Sequence, residues 1–144
     1  MRLCSLFEAS MITVLIVDND LVMRQLLREL LERHLDLTVI GEADNGEDAI
    51  VQAKRLDPTA IIMDFNLPTM SGVETTTLIK LQRPETTVVG LKAGVPGNAE
   101  YAMIDAGAAA VLNKGELVNV LHPIIVQEVT ALKKSILASA TVSL

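Results

Sequence analysis

Five short apolar runs, each about a strand long and each followed by a stretch of helical periodicity, constrain this chain more than any other feature. The runs are Ile12 to Val17, Thr38 to Ile40, Thr59 to Met63, Thr87 to Leu91 and Ala108 to Leu112. Strands separated by single helices need right-handed crossovers, and these give a parallel sheet with both faces covered. The runs are accordingly apolar throughout instead of alternating.

The intervening segments read as helices. Leu21 to Leu35 places Val22, Met23, Leu26, Leu27, Leu30, Leu31 and Leu35 on one stripe, with Arg28/Glu32 and Glu29/Arg33 spaced i,i+4 outside it. Asn45-Gly46 turns into a helix bearing Ala49, Ile50, Ala53 and Leu56, which Asp57-Pro58 stops. The Pro68/Gly72 loop leads into a helix from about Val73 to Gln82. A loop with Gly94, Pro96 and Gly97 opens another from about Asn98 to Ala106, and Gly107 fits its left-handed cap. The last helix is predicted from near Asn119 to about Leu137, distorted at Pro123.

Five βα units predict an α/β, flavodoxin-like doubly wound domain: a five-stranded parallel sheet of order 2-1-3-4-5 with five helices. Met11 immediately precedes the first strand, so residues 1–10 read as an N-terminal extension, 11–138 as the domain and 139–144 as a C-terminal tail. At 144 residues, one domain is the expectation. Half of the residues are hydrophobic, yet the aromatic ones are Phe7, Phe65 and Tyr101, so the core must be aliphatic.

A net charge of −6 argues against direct nucleic-acid contact, which needs clustered Lys and Arg; Lys133-Lys134 is too short a run to change this. The single cysteine, Cys4, excludes an internal disulfide and suits a reducing compartment. No apolar run reaches the ~18 residues of a membrane span, and the Leu3 to Phe7 stretch is short for a signal peptide. The expectation is a cytoplasmic protein without membrane contact.

In the 2-1-3-4-5 order the first and third strands are neighbours at the switch point, where open α/β sheets place their sites. Asp18 follows the first strand, Asp64 closes the third, and Lys114 follows the fifth. Two carboxylates and one amine are thereby expected in one site.

With these residues in place the chain resembles the receiver domain of bacterial response regulators, over roughly Ile12 to Leu137. The resemblance rests on Val17-Asp18-Asn19-Asp20, Gly41-Glu42-Ala43-Asp44-Asn45-Gly46, Met63-Asp64 with the Leu67 to Gly72 loop, and Ala106 to Lys114. Gly41-Glu42-Ala43 is similar to receivers that precede a helix-turn-helix output domain of the NarL/LuxR type. The resemblance implies that Asp64 accepts a phosphoryl group from a histidine kinase or phosphotransfer protein. It implies Mg²⁺ held by Asp18, Asn19, Asp64 and the backbone carbonyl of Asn66, with Lys114 contacting the phosphate or pairing with the free aspartate. It also implies a possible homodimer through the fourth helix, fifth strand and fifth helix, where Val120, Leu121, Ile124 and Ile125 form an apolar run. Catalysis would be limited to self-phosphorylation from small donors and self-dephosphorylation.

Three positions depart from the family pattern. Asn19 stands where a second acid is usual. Lys92 closes the fourth strand where Ser or Thr is usual; its ammonium either reaches toward Asp64 or turns to solvent. At ~6 Å and an effective dielectric of ~20, two unit charges interact by roughly 3 kcal/mol, enough to oppose Mg²⁺. Val111 replaces a rotating Tyr or Phe. The competing reading is a degenerate receiver that serves as a phosphorylation-independent docking or dimerisation module.

Other features read as structural. His34, near the end of the first helix, and His122, beside Pro123, are expected to be structural and not phosphate acceptors or metal ligands. Met63, Met70 and Met103 are packing or loop residues, and the Gly94/Pro96/Gly97 loop lacks a phosphate-loop Lys-Ser/Thr pattern. Asp18-Asn19-Asp20-Leu21-Val22 matches the start of haloacid-dehalogenase-type phosphatases, but the chain lacks that class's later acidic pair and capping insertion. Asp20 is expected to cap the first helix.

Overall fold

The computed structural model describes residues 11–94 and 97–142. Its elements alternate as β1 (Ile12–Val17), α1 (Leu21–Glu32), β2 (Leu37–Ala43), α2 (Gly46–Leu56), β3 (Ala60–Asp64), α3 (Gly72–Gln82), β4 (Thr87–Lys92), α4 (Ala99–Asp105), β5 (Ala110–Asn113), a 3-10 turn (Lys114–Glu116) and α5 (Leu121–Val142). All strand pairings are parallel and the order is β2-β1-β3-β4-β5, as the alternation of periods requires.

The period of two along each strand sorts the core into two layers. Val14 and Ile16 face Leu27, Leu30 and Leu31 of α1 and Leu121, Ile125 and Val129 of α5. Leu15 and Val17 face Ala49 and Ala53 of α2, Ile79 of α3 and Met103 of α4. Both faces of the central strands are dry, which explains why a β1 sequence without polar alternation is stable only between helices.

Local chemistry sets the element ends. Asp20 caps α1 by accepting from the Val22 N–H (2.9 Å), Asn45 caps α2 from Asp48 N–H (2.8 Å), and Ser71 caps α3 from Glu74 N–H (3.1 Å). Gly107, at φ 114°, ends α4 in the left-handed conformation, with its N–H on Ile104 O.

Several boundaries differ from the sequence reading, among them β5, which spans Ala110–Asn113 instead of Ala108 to Leu112. α1 stops at Glu32, so Leu35 lies in the following turn, 92% exposed; Val22 is also exposed, and the buried stripe narrows to Leu27, Leu30 and Leu31. A helix on a flat sheet buries a narrower arc than the seven apolar residues span. β2 is longer, Leu37–Ala43, because Leu15, Ile16 and Val17 pair with Gly41, Glu42 and Ala43 past a register shift.

α5 begins at Leu121, not Asn119. Pro123 therefore falls in the first turn, where a missing N–H costs nothing and no distortion is needed. It also runs past Leu137 to Val142, so residues 139–142, expected as tail, are helical; no Gly or Pro follows Pro123 to end the helix. The remaining tail residues, residues 1–10 with Cys4, and Pro96 lie outside the described residues. No described helix is long and apolar enough to cross a membrane.

Candidate functional site

Asp18 and Asp64 emerge side by side at the carboxyl ends of β1 and β3, whose last paired residues are Val17 and Met63. Both are buried, at 0% and 2% exposure. Asp18 is fixed through its main chain by its N–H on Ala43 O (3.1 Å) and through Oδ1 by the Asp20 N–H (2.9 Å). Asp64 Oδ1 accepts from the Asn66 N–H (3.1 Å).

Lys114 comes from the other side of the sheet end, on the 3-10 turn after β5. Asn113 shapes that turn by accepting the Gly115 N–H on its side-chain oxygen (2.9 Å). The Lys114 ammonium lies 2.8 Å from Asp18 Oδ2 and 3.2 Å from Asp64 Oδ1, bridging the two acids.

Electrostatics follow from this geometry. Burial pushes the Asp64 carboxyl above its ordinary value, the charge of Asp18 adds to the push, and Lys114 and the Asn66 N–H oppose it. Burial works against the Lys114 ammonium, but hydrogen bonding and attraction from Asp18 and Asp64 outweigh it, and its pKa is raised. With both acids ionised the trio sums to −1. Asp18 Oδ2 is buried, with the Lys114 ammonium 2.8 Å away. Two buried carboxylates sharing a single ammonium keep a net negative charge and spare oxygen lone pairs, which suits a small cation.

The wall of the site is built tightly. A Cβ on Gly72 would sit 2.1 Å from Asp64 O and 2.9 Å from Phe65 Cα, so only glycine lets α3 start against the end of β3. The Gly72 N–H bonds Phe65 O (3.0 Å), and Thr69, at φ 64°, ties the loop to α2 through Glu47 (2.9 Å).

Sequence reasoning missed the joint role of Arg24, Arg28 and Glu42 in supporting the site. Arg24 of α1 donates to the Asp18 carbonyl (2.6 Å) and to Glu42 Oε1 (2.9 Å), while Arg28 holds Glu42 Oε2 (2.8 Å). Burial acts against the Glu42 carboxylate, but the two arginines overcome it and hold its pKa below the usual range. The visible signal was Arg24 and Arg28, one helical turn apart, with an acid inside a strand.

The structure brings Asp18, Asp64 and Lys114 together. Asn66 contributes its backbone N–H to Asp64 and is otherwise exposed, and Asn19 is exposed at the rim. Lys92 corrects both expectations made for it: it neither joins Asp64 nor reaches solvent. It is 6% exposed and forms an ion pair with Glu100 of α4, because the last residue of β4 faces the α4 layer and burial demands a counter-charge there. Beside this pair lies a cavity of about 460 Å³ lined by Val111, Asn113, Val120, Pro123 and Ile124.

Known proteins agree with this architecture. The model of the response regulator receiver domain family matches residues 14–125. A protein-glutamate methylesterase/protein-glutamine glutaminase of Methanospirillum hungatei is 39% identical over 106 residues, which is 72% of this chain and 30% of that protein. The response regulator VraR of Staphylococcus epidermidis is 36% identical over 103 residues, 72% of this chain and 49% of that protein. The chain thus spans less than half the length of either relative. The response regulator domain of Thermotoga maritima CheB superposes with a TM-score of 0.76 at 23% identity, covering 83% of this chain and 97% of that one. The chain belongs to the response regulator receiver domain family, is related to receivers of NarL/LuxR-type regulators, and fits two-component signal transduction.

Proposed function

We propose that Asp64 accepts a phosphoryl group from the phosphohistidine of a histidine kinase or phosphotransfer protein in the cytoplasm. The observation that supports this reading is Lys114 bridging two buried carboxylates at the switch point. Asp64 Oδ1 is engaged by Asn66 N–H and Lys114, which leaves Oδ2 as the nucleophile. As Oδ2 bonds to phosphorus, the phosphorus–nitrogen bond breaks and its electron pair returns to the imidazole, leaving an acyl phosphate. Lys114 exchanges its contact with Asp64 for one with the phosphoryl oxygens.

The site fits Mg²⁺: Asp18 and Asp64 are buried carboxylates, the trio carries net negative charge, and the donors are hard oxygens. Asp18, Asp64 and the Asn66 carbonyl would hold the ion, with the Asn19 amide at the rim. When bound it offsets repulsion between the carboxylates and the incoming phosphoryl oxygens. Pairing of Lys92 with Glu100 supports this reading, since it takes a competing cation out of the acid pocket.

One observation favours phosphorylation-independent docking or dimerisation instead. The end of β4 offers no hydroxyl to a phosphoryl group, and Lys92 is instead tied to α4 beside a cavity on the α4-β5-α5 face. Intact-mass analysis after incubation with acetyl phosphate and Mg²⁺ separates the two. A phosphoryl adduct that disappears in Asp64→Asn supports the acceptor reading. An unlabelled wild type with a labelled Lys92→Thr variant supports docking.

A further inference from the structure

His34 and Asp36, two residues apart, meet the distant His122 where the turn after α1 touches the start of α5. His122 Nε2 lies 3.0 and 3.2 Å from the two Asp36 carboxylate oxygens. The His34 and His122 rings stack with centroids 3.6 Å apart and planes 4° from parallel. One ligand atom from each of the three residues lies within 4.8 Å of the other two, and all three side chains are part-exposed. Among the described residues no hydrogen-bond partner engages the His34 ring, so its nitrogens are available.

We propose that these residues form a binding site for a divalent transition ion of the zinc class. The set supplies two imidazole nitrogens and one carboxylate oxygen, the donors that Zn²⁺ takes at about 2.0–2.2 Å, with water filling the open position. Imidazole excludes Mg²⁺ and Ca²⁺ as natural occupants, since both select oxygen ligands. In-plane lone pairs of parallel rings do not converge on one point, so loading must splay the stack and replace the His122 contact to Asp36. The ion would tie α5 to the α1-β2 corner in place of the His122–Asp36 contact and the ring stack that join them now. No residue of the acid pocket takes part, so the site stands or falls independently of phosphoryl transfer.

The full chain contains two histidines, so its imidazole spectrum consists of two ring signals, and both belong to this cluster. One equivalent of Zn²⁺ is expected to shift both. By calorimetry, His34→Ala and Asp36→Asn should each weaken Zn²⁺ binding by at least about tenfold, a difference of about 1.4 kcal/mol. Cys4→Ser should bind like the wild type. A wild type in which one ring or neither responds overturns the proposal, whatever the stability of the variants, as does undiminished binding in His34→Ala.

Discussion

Glu100 holds the ammonium of Lys92 at the carboxyl end of β4, one residue beyond the strand position paired with Asp64. A lysine with 7% side-chain exposure would otherwise bury an unpaired charge, and α4 supplies the carboxylate from a half-exposed position. The pair therefore links the end of the central sheet to α4 rather than to the acid pocket. Removing one partner strands the other.

Glu100→Gln is accordingly expected to destabilise the fold by about 1–2 kcal/mol, less than the ~3–5 kcal/mol of a fully buried pair because Glu100 keeps part of its hydration. Adding Lys92→Met should recover most of that loss, since the buried cation is then gone. Urea unfolding of the two single variants and the double variant measures the coupling; simple additivity would show that the ion pair contributes nothing.

Gly72→Ala tests the close approach of α3 to the end of β3. A methyl group 2.1 Å from Asp64 O has to move main chain, not a flexible side-chain tip. The expected cost is about 1–3 kcal/mol, with loss of phosphoryl labelling because Asp64 moves with its carbonyl. Gly97→Ala, where a Cβ meets nothing within 4 Å, should stay within about 0.5 kcal/mol of the wild type.

Sheet order and the meeting of Asp18, Asp64 and Lys114 were legible because they depend on strand count and strand ends, which hydrophobic periods mark directly. Pairing of Lys92 with Glu100 was not legible: both lie near the same loop, but the choice among Asp64, Glu100 and water depends on which layer the end of β4 faces. Arg24 and Glu42 were hidden for a related reason, since a salt bridge between a helix and the next strand leaves no periodic trace. The start of α5 was placed two residues early, near Asn119, which pushed Pro123 just past the first turn and called for a distortion that a start at Leu121 makes unnecessary. His34, Asp36 and His122 looked unrelated because β2 through β5 separate the first two from the third.

Acid titration offers a test of the buried acid. Burial and Asp18 raise the native Asp64 pKa above its ordinary 3.8, so the native state binds more protons than the unfolded chain between 3.8 and the native value. Stability contributed by this group falls as pH climbs through that window, and the deficit is complete above it. Asp64→Asn is therefore expected to be more stable than the wild type at neutral pH, with the gain vanishing below about pH 3.8. Lys114 does not confuse the comparison: its raised pKa means that its contribution is lost only at strongly alkaline pH, above 10.5. Urea midpoints of both proteins across the acid-to-neutral range give the answer, and a gain that persists at the acid end would assign the effect to something other than Asp64 ionisation.

Asn19 offers the cleanest probe of cation binding, because it is exposed and its replacement disturbs no packing. Asn19→Asp adds a third carboxylate at the rim of a pocket that already sums to −1 with Lys114 in place. Without a divalent ion the added charge repels Asp18 and Asp64, so the variant should unfold at a slightly lower temperature than the wild type. With Mg²⁺ the same charge becomes a further hard-oxygen ligand, and affinity should rise by roughly tenfold, about 1.4 kcal/mol. The two melting curves are thus expected to approach and then cross as Mg²⁺ is added, whereas Asp18→Asn should lose the Mg²⁺ response altogether. Equal Mg²⁺ affinity in wild type and Asn19→Asp would mean that the ion sits out of reach of residue 19, with Asp18, Asp64 and the Asn66 carbonyl as its full protein shell.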